Sequence, residues 1–333
     1  MTPAARQAVA RALPAMVGLF LVGCLVRNAG PSRVVQVLSQ AAWRLPLVFT
    51  LEFVQLASDV VALRWLLETA SGRVPVTTWV RSSAAAYAMM ILVPAGRAAG
   101  EVTRATLLAR HVGAPWATTA AAQLQAAYFF ANGVLSLFSC IAVTSWLGAR
   151  SFLSLALVAN TVLMWALSAG VLAVLRGDRA GRWIERMRLR LVKGVAAAAP
   201  LEAHARRRLP WRAAVMCSAS RGAQVVQYGV LLAAVGGVST VQKALIAHGI
   251  HLVGSTVGDV LPNQLGIVDG AYSSFAAAIG FAGQPARALA IPFLAHTVQL
   301  TCAAGCIVVA ALIRRAAALH DAGQAAGPAS DPS

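Results

Sequence analysis

The sequence predicts an all-α polytopic integral membrane protein, built as an inverted repeat with two broken or re-entrant helical hairpins. Three observations carry this. The chain of 333 residues is 59% hydrophobic and only 12% charged, about half the charged fraction of a soluble domain, with a mean hydropathy of +0.70. Long apolar runs alternate with short basic loops, as in helices that thread a bilayer. Two of the runs are interrupted by similar Pro/Gly breaks, each followed by an acid. The apolar runs are continuous and lack the alternation of barrel strands, so a β-barrel is not expected.

The net charge of +17 raises nucleic acid as a partner. The cations stand between apolar spans, where they orient a membrane protein, so no nucleic acid is expected. Only Lys193 and Lys243 are lysines; the rest are arginines. The five cysteines (Cys24, Cys140, Cys217, Cys302, Cys306) lie in apolar segments without a CxxC pair, which favours packing over redox chemistry.

The elements follow in order. Arg6 and Arg11 precede a short apolar run, Leu13 to Val26, interrupted by Pro14 and followed by no clear A-x-A site. This reads as an uncleaved first span rather than a signal peptide. A span is expected at 45–67, then a short apolar pair at 79–93 and 98–111. Long spans follow at 117–146 and 152–175. The polar stretch 176–212 holds ten arginines and Lys193. Beyond it come a span at 213–235, a second short pair at 241–260 and 266–282, and a last span at 288–313. The Ala/Gly/Pro/Ser-rich tail 316–333 is expected to be disordered. Residues 1–315 thus form a single transmembrane domain, with repeat one at about 45–146 and repeat two at about 213–313.

The positive-inside rule places the 176–212 loop in the cytoplasm, and by counting spans the N-terminus and C-terminus as well. Within that loop, W-I-E-R-M-R-L-R-L-V-K (residues 183–193) reads as an amphipathic piece on the anionic inner leaflet. The expected location is a bacterial inner (cytoplasmic) membrane. Arg27, Arg33 and Arg44 then fall outside, a modest violation of the rule. The first short pair enters from the cytoplasm and the second from outside, the arrangement of inverted repeats.

Spacing supports the repeat. The first break reads V-P-A-G-R-A-A-G-E, with Glu101 seven residues after Pro94; the second reads L-P-N-Q-L-G-I-V-D, with Asp269 seven residues after Pro262. Downstream, G-A-P (Gly113 to Pro115) matches G-Q-P (Gly283 to Pro285), at proline-to-proline distances of 21 and 23 residues.

Proline removes a backbone donor, and neighbouring glycines such as Gly96 and Gly100 permit an unwound path. A helix that restarts inside a bilayer turns unpaired N–H groups and a positive dipole end toward a cavity, ready to hold an anion. Arg97 and Arg104 add guanidiniums, which match phosphate oxygens bidentately. Substrate-binding candidates in the first break are therefore Pro94, Gly96, Arg97, Gly100, Glu101 and Arg104. Glu101 and Arg104 lie i,i+3 and either form a structural ion pair or meet substrate. The second break offers Asp259, Pro262, Asn263, Gln264, Gly266 and Asp269, for a cationic or hydroxylated group or for water. Glu52, Gln55 and Asp59 recur at i, i+3 and i+7, one helical face that should turn to the bundle interior. Interhelical hydrogen bonding is the plainer role for that face, and Gln224 and Gln227 are its counterparts in repeat two.

His248 and His251, eight residues before Asp259, raise zinc, but without HExxH or a cysteine pair, buried hydrogen-bonded histidines are expected, and no metal. His296, alone in a span, is read the same way. No P-loop, GxSxG elbow or dinucleotide fingerprint is present, so no cofactor and no enzyme activity are expected.

P-A-G-R-A-A-G-E-V-T-R-A-T-L-L resembles the P-x-x-x-x-G-E-x-x-R-x-x-L-L pattern of the flippase-like family, the transmembrane region of lysylphosphatidylglycerol synthases, here as a stand-alone membrane part. Gly100, Glu101 and Arg104 match, and Pro94 stands one residue further from Gly100 than in the pattern. In the second motif Pro262 and Gly266 fit, while Asp269 stands where glutamate is usual and Asn263 and Gln264 replace small residues. The resemblance spans about 45–313 and implies a membrane lipid transporter or flippase. The synthases carry an added aminoacyltransferase domain, for which the polar loop here is too short, so lysyl transfer is not implied. The expected partner is a membrane lipid, a phospholipid or other polar lipid. An alternative is a non-transporting partner or regulator of a lipid-modifying enzyme, with the 176–212 loop as its contact; a homo-oligomer is also open.

Overall fold

A computed structural model describes residues 3–176 and 209–325. Residues 177–208 of the 176–212 loop, with its amphipathic piece, and residues 326–333 lie outside the described residues. All regular structure among the described residues is helical. Among the described residues, four stretches are long and apolar enough to cross a membrane: Pro31–Leu67, Ala114–Leu147, Phe152–Arg176 and Pro285–Ala316.

Helix α1 (Pro3–Ala29) leads into α2 (Pro31–Ala41) and α3 (Leu45–Leu67). Next come α4 (Val76–Leu92) and α5 (Gly96–Val112), then α6 (Ala114–Leu147) and α7 (Phe152–Arg176). After the loop, α8 (Trp211–Ala234) precedes α9 (Val241–Gly258), a short α10 (Ile267–Ser274) and the long α11 (Pro285–Ala325). Each short pair thus follows one long helix and precedes another. In α4 and α5, 17 residues each, a helix extends only about 26 Å, less than the hydrocarbon thickness of a bilayer.

Glycine and proline set the boundaries. Gly113, at φ +86°, closes α5, and Pro115 opens α6. Gly283, at φ +68°, stands before α11, which begins at Pro285. The two G-x-P tripeptides therefore do the same work, each starting the long helix after a short pair.

Helix α1 packs on the second break, where Gly18 and Leu21 meet Leu265 and Gly266. Two expectations are corrected. The second member of hairpin two is helical only over Ile267–Ser274, followed by a 3-10 turn at Ala276–Ile279 that ends on Gly280 in the left-handed region. The adjacent Ser273 and Ser274 and the Gly280 stop favour turns over a longer helix. Finally, α11 runs through Ala325, so the first part of the tail read as disordered is helical; its alanines, leucine and glutamine are good helix formers.

Packing is inside out relative to a soluble protein. Large apolar side chains such as Phe53, Phe138, Leu155, Val158 and Val162 are exposed, while Glu52, Asp59, Arg104, Arg221 and Asp269 are buried. An apolar surface of this extent marks contact with lipid. One apolar core gathers the lower parts of α3, α6 and α8 (Leu63, Leu67, Leu124, Ala214, Cys217). Another gathers the upper part of α8 with α9, α10 and α11 (Leu231, Leu232, Ile250, Tyr272, Ile291). Between them, at the middle of α3 and α8, lies a layer of polar side chains. Helix α3 packs along α8, α4 on α11 and α9 on α6, so each short pair leans on the other half of the chain.

Two G-x-x-x-G sequences hold the hairpins shut. A methyl on Gly96 would stand 2.0 Å from the Met90 carbonyl oxygen, and one on Gly100 would stand 2.7 Å from that of Ala86. In hairpin two, Gly254 faces Val268 and Gly258 faces Gln264 and Ile267. Small residues four apart let helix backbones approach this closely. Gly96→Ala is therefore expected to destabilise the solubilised protein by about 1–3 kcal/mol, the range for overpacking. Gly23→Ala, where a methyl meets nothing within 4 Å, should leave the thermal unfolding midpoint unchanged.

Candidate functional site

The two breaks meet. Val93 leaves α4 in an extended conformation, and Ala95 takes a left-handed one at φ +52°. Its N–H donates to the carbonyl of Asp259, in the other break, at 2.9 Å. On that side Asn263 and Gln264 are also left-handed, at φ +48° and +57°. Strained non-glycine backbone of this kind persists only where surroundings enforce it.

Beside this contact is a narrow polar cavity of about 100 Å³, lined by α3, α4, the starts of α5 and the second break, α6, α8, α9 and α11. Eight of the expected residues reach its wall: Glu52, Gln55, Asp59, Gly96, Arg97, Asp259, Asn263 and Gln264. Sequence reasoning missed Tyr87, Tyr128, Arg221 and Gln299, named Gln224 only as a counterpart and read His251 as a buried, hydrogen-bonded histidine.

The polar face of α3 is satisfied by its neighbours. Tyr87 of α4 donates to Glu52 Oε1 at 2.6 Å, and Gln227 of α8 donates to Glu52 Oε2 at 2.9 Å. Gln55 Nε2 donates to Gln227 Oε1 at 3.1 Å. Tyr128 of α6 donates to Asp59 Oδ1 at 2.6 Å. Interhelical hydrogen bonding and cavity lining are thus the same residues in two roles.

Two guanidiniums flank one tyrosine. Arg97 Cζ lies 3.7 Å and Arg221 Cζ 4.6 Å from the centroid of the Tyr128 ring. A cation over an aromatic face is held by the ring's quadrupole. Arg221 also donates to Gln224 Oε1, which accepts from His248 Nε2 at 3.3 Å. Asp59 places a carboxylate within electrostatic reach of Arg97. The wall therefore carries two cations and several acids, with Arg221 Nε buried and without a hydrogen-bond partner.

The remaining expected residues stand away from the wall. Arg104 Nη1 lies 3.4 Å from Glu101 Oε1, with side-chain exposures of 5% and 14%. Glu101 Oε2 and Arg104 Nε have no hydrogen-bond partner. Gly100 is the contact of α5 on α4. Pro94 and Pro262 shape the turns, and Gly266, at φ +83°, abuts Leu21. Asp269 is wholly buried, and its Oδ2 accepts the Gly266 N–H at 2.7 Å, holding the start of α10.

His248 is hydrogen-bonded to Gln224, His251 lies against Tyr228 with ring centroids 5.1 Å apart, and Asp259 is exposed. Among the described residues, no three His, Cys, Asp or Glu side chains are grouped to hold a metal ion.

Removing one partner of a buried ion pair strands the other charge, at about 3–5 kcal/mol. Arg104→Ala should lower the unfolding free energy by that amount. The paired change Glu101→Gln with Arg104→Met should recover most of the loss in the same unfolding experiment, since no charge is left stranded.

The family model for the lysylphosphatidylglycerol synthase TM region matches residues 9–315. No curated protein and no solved structure matches the chain.

Proposed function

The chain belongs to the lysylphosphatidylglycerol synthase transmembrane-region family, and from that premise we propose that it moves a polar lipid between the leaflets of a bacterial inner membrane. It is an integral membrane protein of a lipid-related family. The observation that carries the finer reading is the meeting of the two helix breaks at a cavity that presents Arg97 and Arg221 on either side of Tyr128.

Each part of that cavity suits a headgroup. Two guanidiniums offer paired donors to phosphate oxygens. The start of α5 adds backbone N–H groups and the positive end of its dipole. The cavity lies midway along α3 and α8, between the two apolar cores, where transporters built from inverted repeats carry their sites. In this reading α3 to α6 form one repeat and α8 to α11 the other, related by inversion. The reciprocal packing of α4 on α11 and of α9 on α6 supports that pairing. The short pairs act as re-entrant hairpins, and opening one while the other stays sealed gives alternating access. Glu101 and Arg104 then brace α5 behind the site, and Asn263 and Gln264 face hydroxyl groups of the lipid.

The cavity is narrow, so a headgroup enters only as a hairpin yields. The hydrogen bond between Ala95 and Asp259 is the contact that must open. The positive-inside rule supplies the sidedness: the end with Arg64, Trp211 and Arg212 faces the cytoplasm and the end with Arg33 and Arg287 faces out.

Native mass spectrometry of the gently extracted chain should show one retained class of anionic lipid. Arg97→Ala and Arg221→Ala are each expected to weaken that retention about tenfold, on the scale of a lost charge-assisted hydrogen bond, and to slow exchange of a fluorescent phosphatidylglycerol in vesicles. Equal retention and equal exchange by wild type and both variants would overturn the assignment of this cavity.

A further inference from the structure

Where hairpin two packs on α11, Asp269 of the hairpin and His296 of α11 form a pair of buried titratable groups that the lipid-handling reading leaves unused. Asp269 Oδ1 and His296 Nε2 stand 3.4 Å apart, and neither atom has a hydrogen-bond partner. Asp269 is at 0% exposure and His296 at 6%. The other imidazole nitrogen, Nδ1, lies 3.0 Å from Asn263 Nδ2, and Asn263 lines the cavity. A continuous polar path therefore runs from the cavity wall through one amide and one imidazole to a carboxylate sealed from solvent.

We propose that Asp269 and His296 together bind one proton delivered from the cavity, and that this proton is the ion coupled to lipid movement. The second half rests on the lipid-transport reading above; the first does not. In the arrangement shown, Asn263 donates to Nδ1, so the neutral ring carries its proton on Nε2, toward Asp269. The pair then holds a net charge of about −1, which is costly away from water. His296 lies behind Asn263 from the cavity, so once that amide turns aside a hydronium ion entering from the cavity can give its proton to Nδ1: one O–H bond breaks, one N–H bond forms, and water remains. The pair becomes an imidazolium beside a carboxylate, with no net charge.

Asn263 suits both states. Its amide carries a donor and an acceptor, so a half-turn presents Oδ1 to the new Nδ1–H and keeps the hydrogen bond. The link to motion is Asp269 itself. Its Oδ2 holds the Gly266 N–H at the break, so drawing its charge toward an imidazolium acts on the turn that seals the cavity.

The surroundings set the balance. From α9, His251 stands within electrostatic reach of His296; from α8, Tyr228 stands within reach of Asp269 and Arg221. Asp259 lies in the same break, Tyr272 on α10, and Tyr87 with Glu52 on the α4 and α3 side of the cavity. Helix α1 meets the break through Gly18 and Leu21, and α2 meets α11 through Val34, none of which titrates.

Two measurements on the full chain decide the proposal. The first is proton uptake by purified protein in unbuffered detergent, on a step from about pH 8 to about pH 5. Wild type is expected to take up one proton more than His296→Gln, with Asp269→Asn also reduced. Equal uptake by wild type and His296→Gln would overturn the site. The second uses vesicles holding a pH-sensitive dye and fluorescent phosphatidylglycerol. For one proton per lipid, each pH unit of imposed gradient should shift the lipid distribution about tenfold, with matching proton entry. His296→Gln should lose the gradient response, and Asp269→Glu should keep part of it. If lipid moves at the same rate with and without a gradient and no proton enters, coupling is refuted while lipid movement stands. If no lipid moves under any condition, the lipid reading fails, and the uptake measurement still judges the proton site.

Discussion

Everything in this chain answers to one constraint: inside a bilayer an unpaired polar group finds no water. The two helix breaks leave backbone groups open, and the middle of α3 presents two carboxylates and an amide. The structure resolves both by bringing them to one place. The break at Ala95 finds the carbonyl of Asp259, and Glu52 takes the hydroxyl of Tyr87 and the amide of Gln227. Arg221, whose Nε finds no hydrogen-bond partner, stands at the cavity. Polar demand there exceeds what the neighbouring helices supply, which is also what a polar ligand requires.

The same constraint explains the layering. Apolar contacts above and below the polar layer keep water from entering along the helices, and glycines make the contacts close. Asn160 joins α7 to Ser136 of α6 and Thr256 of α9 through hydrogen bonds of 3.1 and 2.7 Å, so even the outer helix α7 is tied by polar groups satisfied within the protein. Gly133 admits the Trp165 ring against the α6 backbone. The hairpins are thus seated in a frame whose other members are locked.

Much of the frame was legible in sequence, because each helix writes its own apolar run. The span at 45–67 has the bounds of α3, and the i, i+3, i+7 spacing of Glu52, Gln55 and Asp59 put them on the face that lines the cavity. Pro94 and Pro262 marked the breaks. Arg221 was not legible: it follows a basic loop by a few residues, so it reads as one more interfacial cation. Its meaning lies in Tyr128, more than ninety residues earlier, and only folding brings the two together. The same holds for His296, a lone histidine in an apolar helix, whose partners Asn263 and Asp269 sit in a different element. Glu101 and Arg104 drew attention by charge, yet burial turned their pair away from the cavity wall. Hairpin two was overlong on paper because hydropathy does not see the turn that Ser273, Ser274 and Gly280 impose.

The bond from Ala95 N–H to the Asp259 carbonyl links the two breaks backbone to backbone. A net backbone hydrogen bond contributes about 1 kcal/mol, or about a five-fold bias in population. A catch of that strength is shallow: it selects one arrangement at rest, yet thermal motion releases it often, and a competing acceptor need offer only one comparable bond to Ala95 to hold it open. A phosphate oxygen is such an acceptor. The meeting of the two breaks is thus fastened by an interaction whose weakness matches the size of what would replace it.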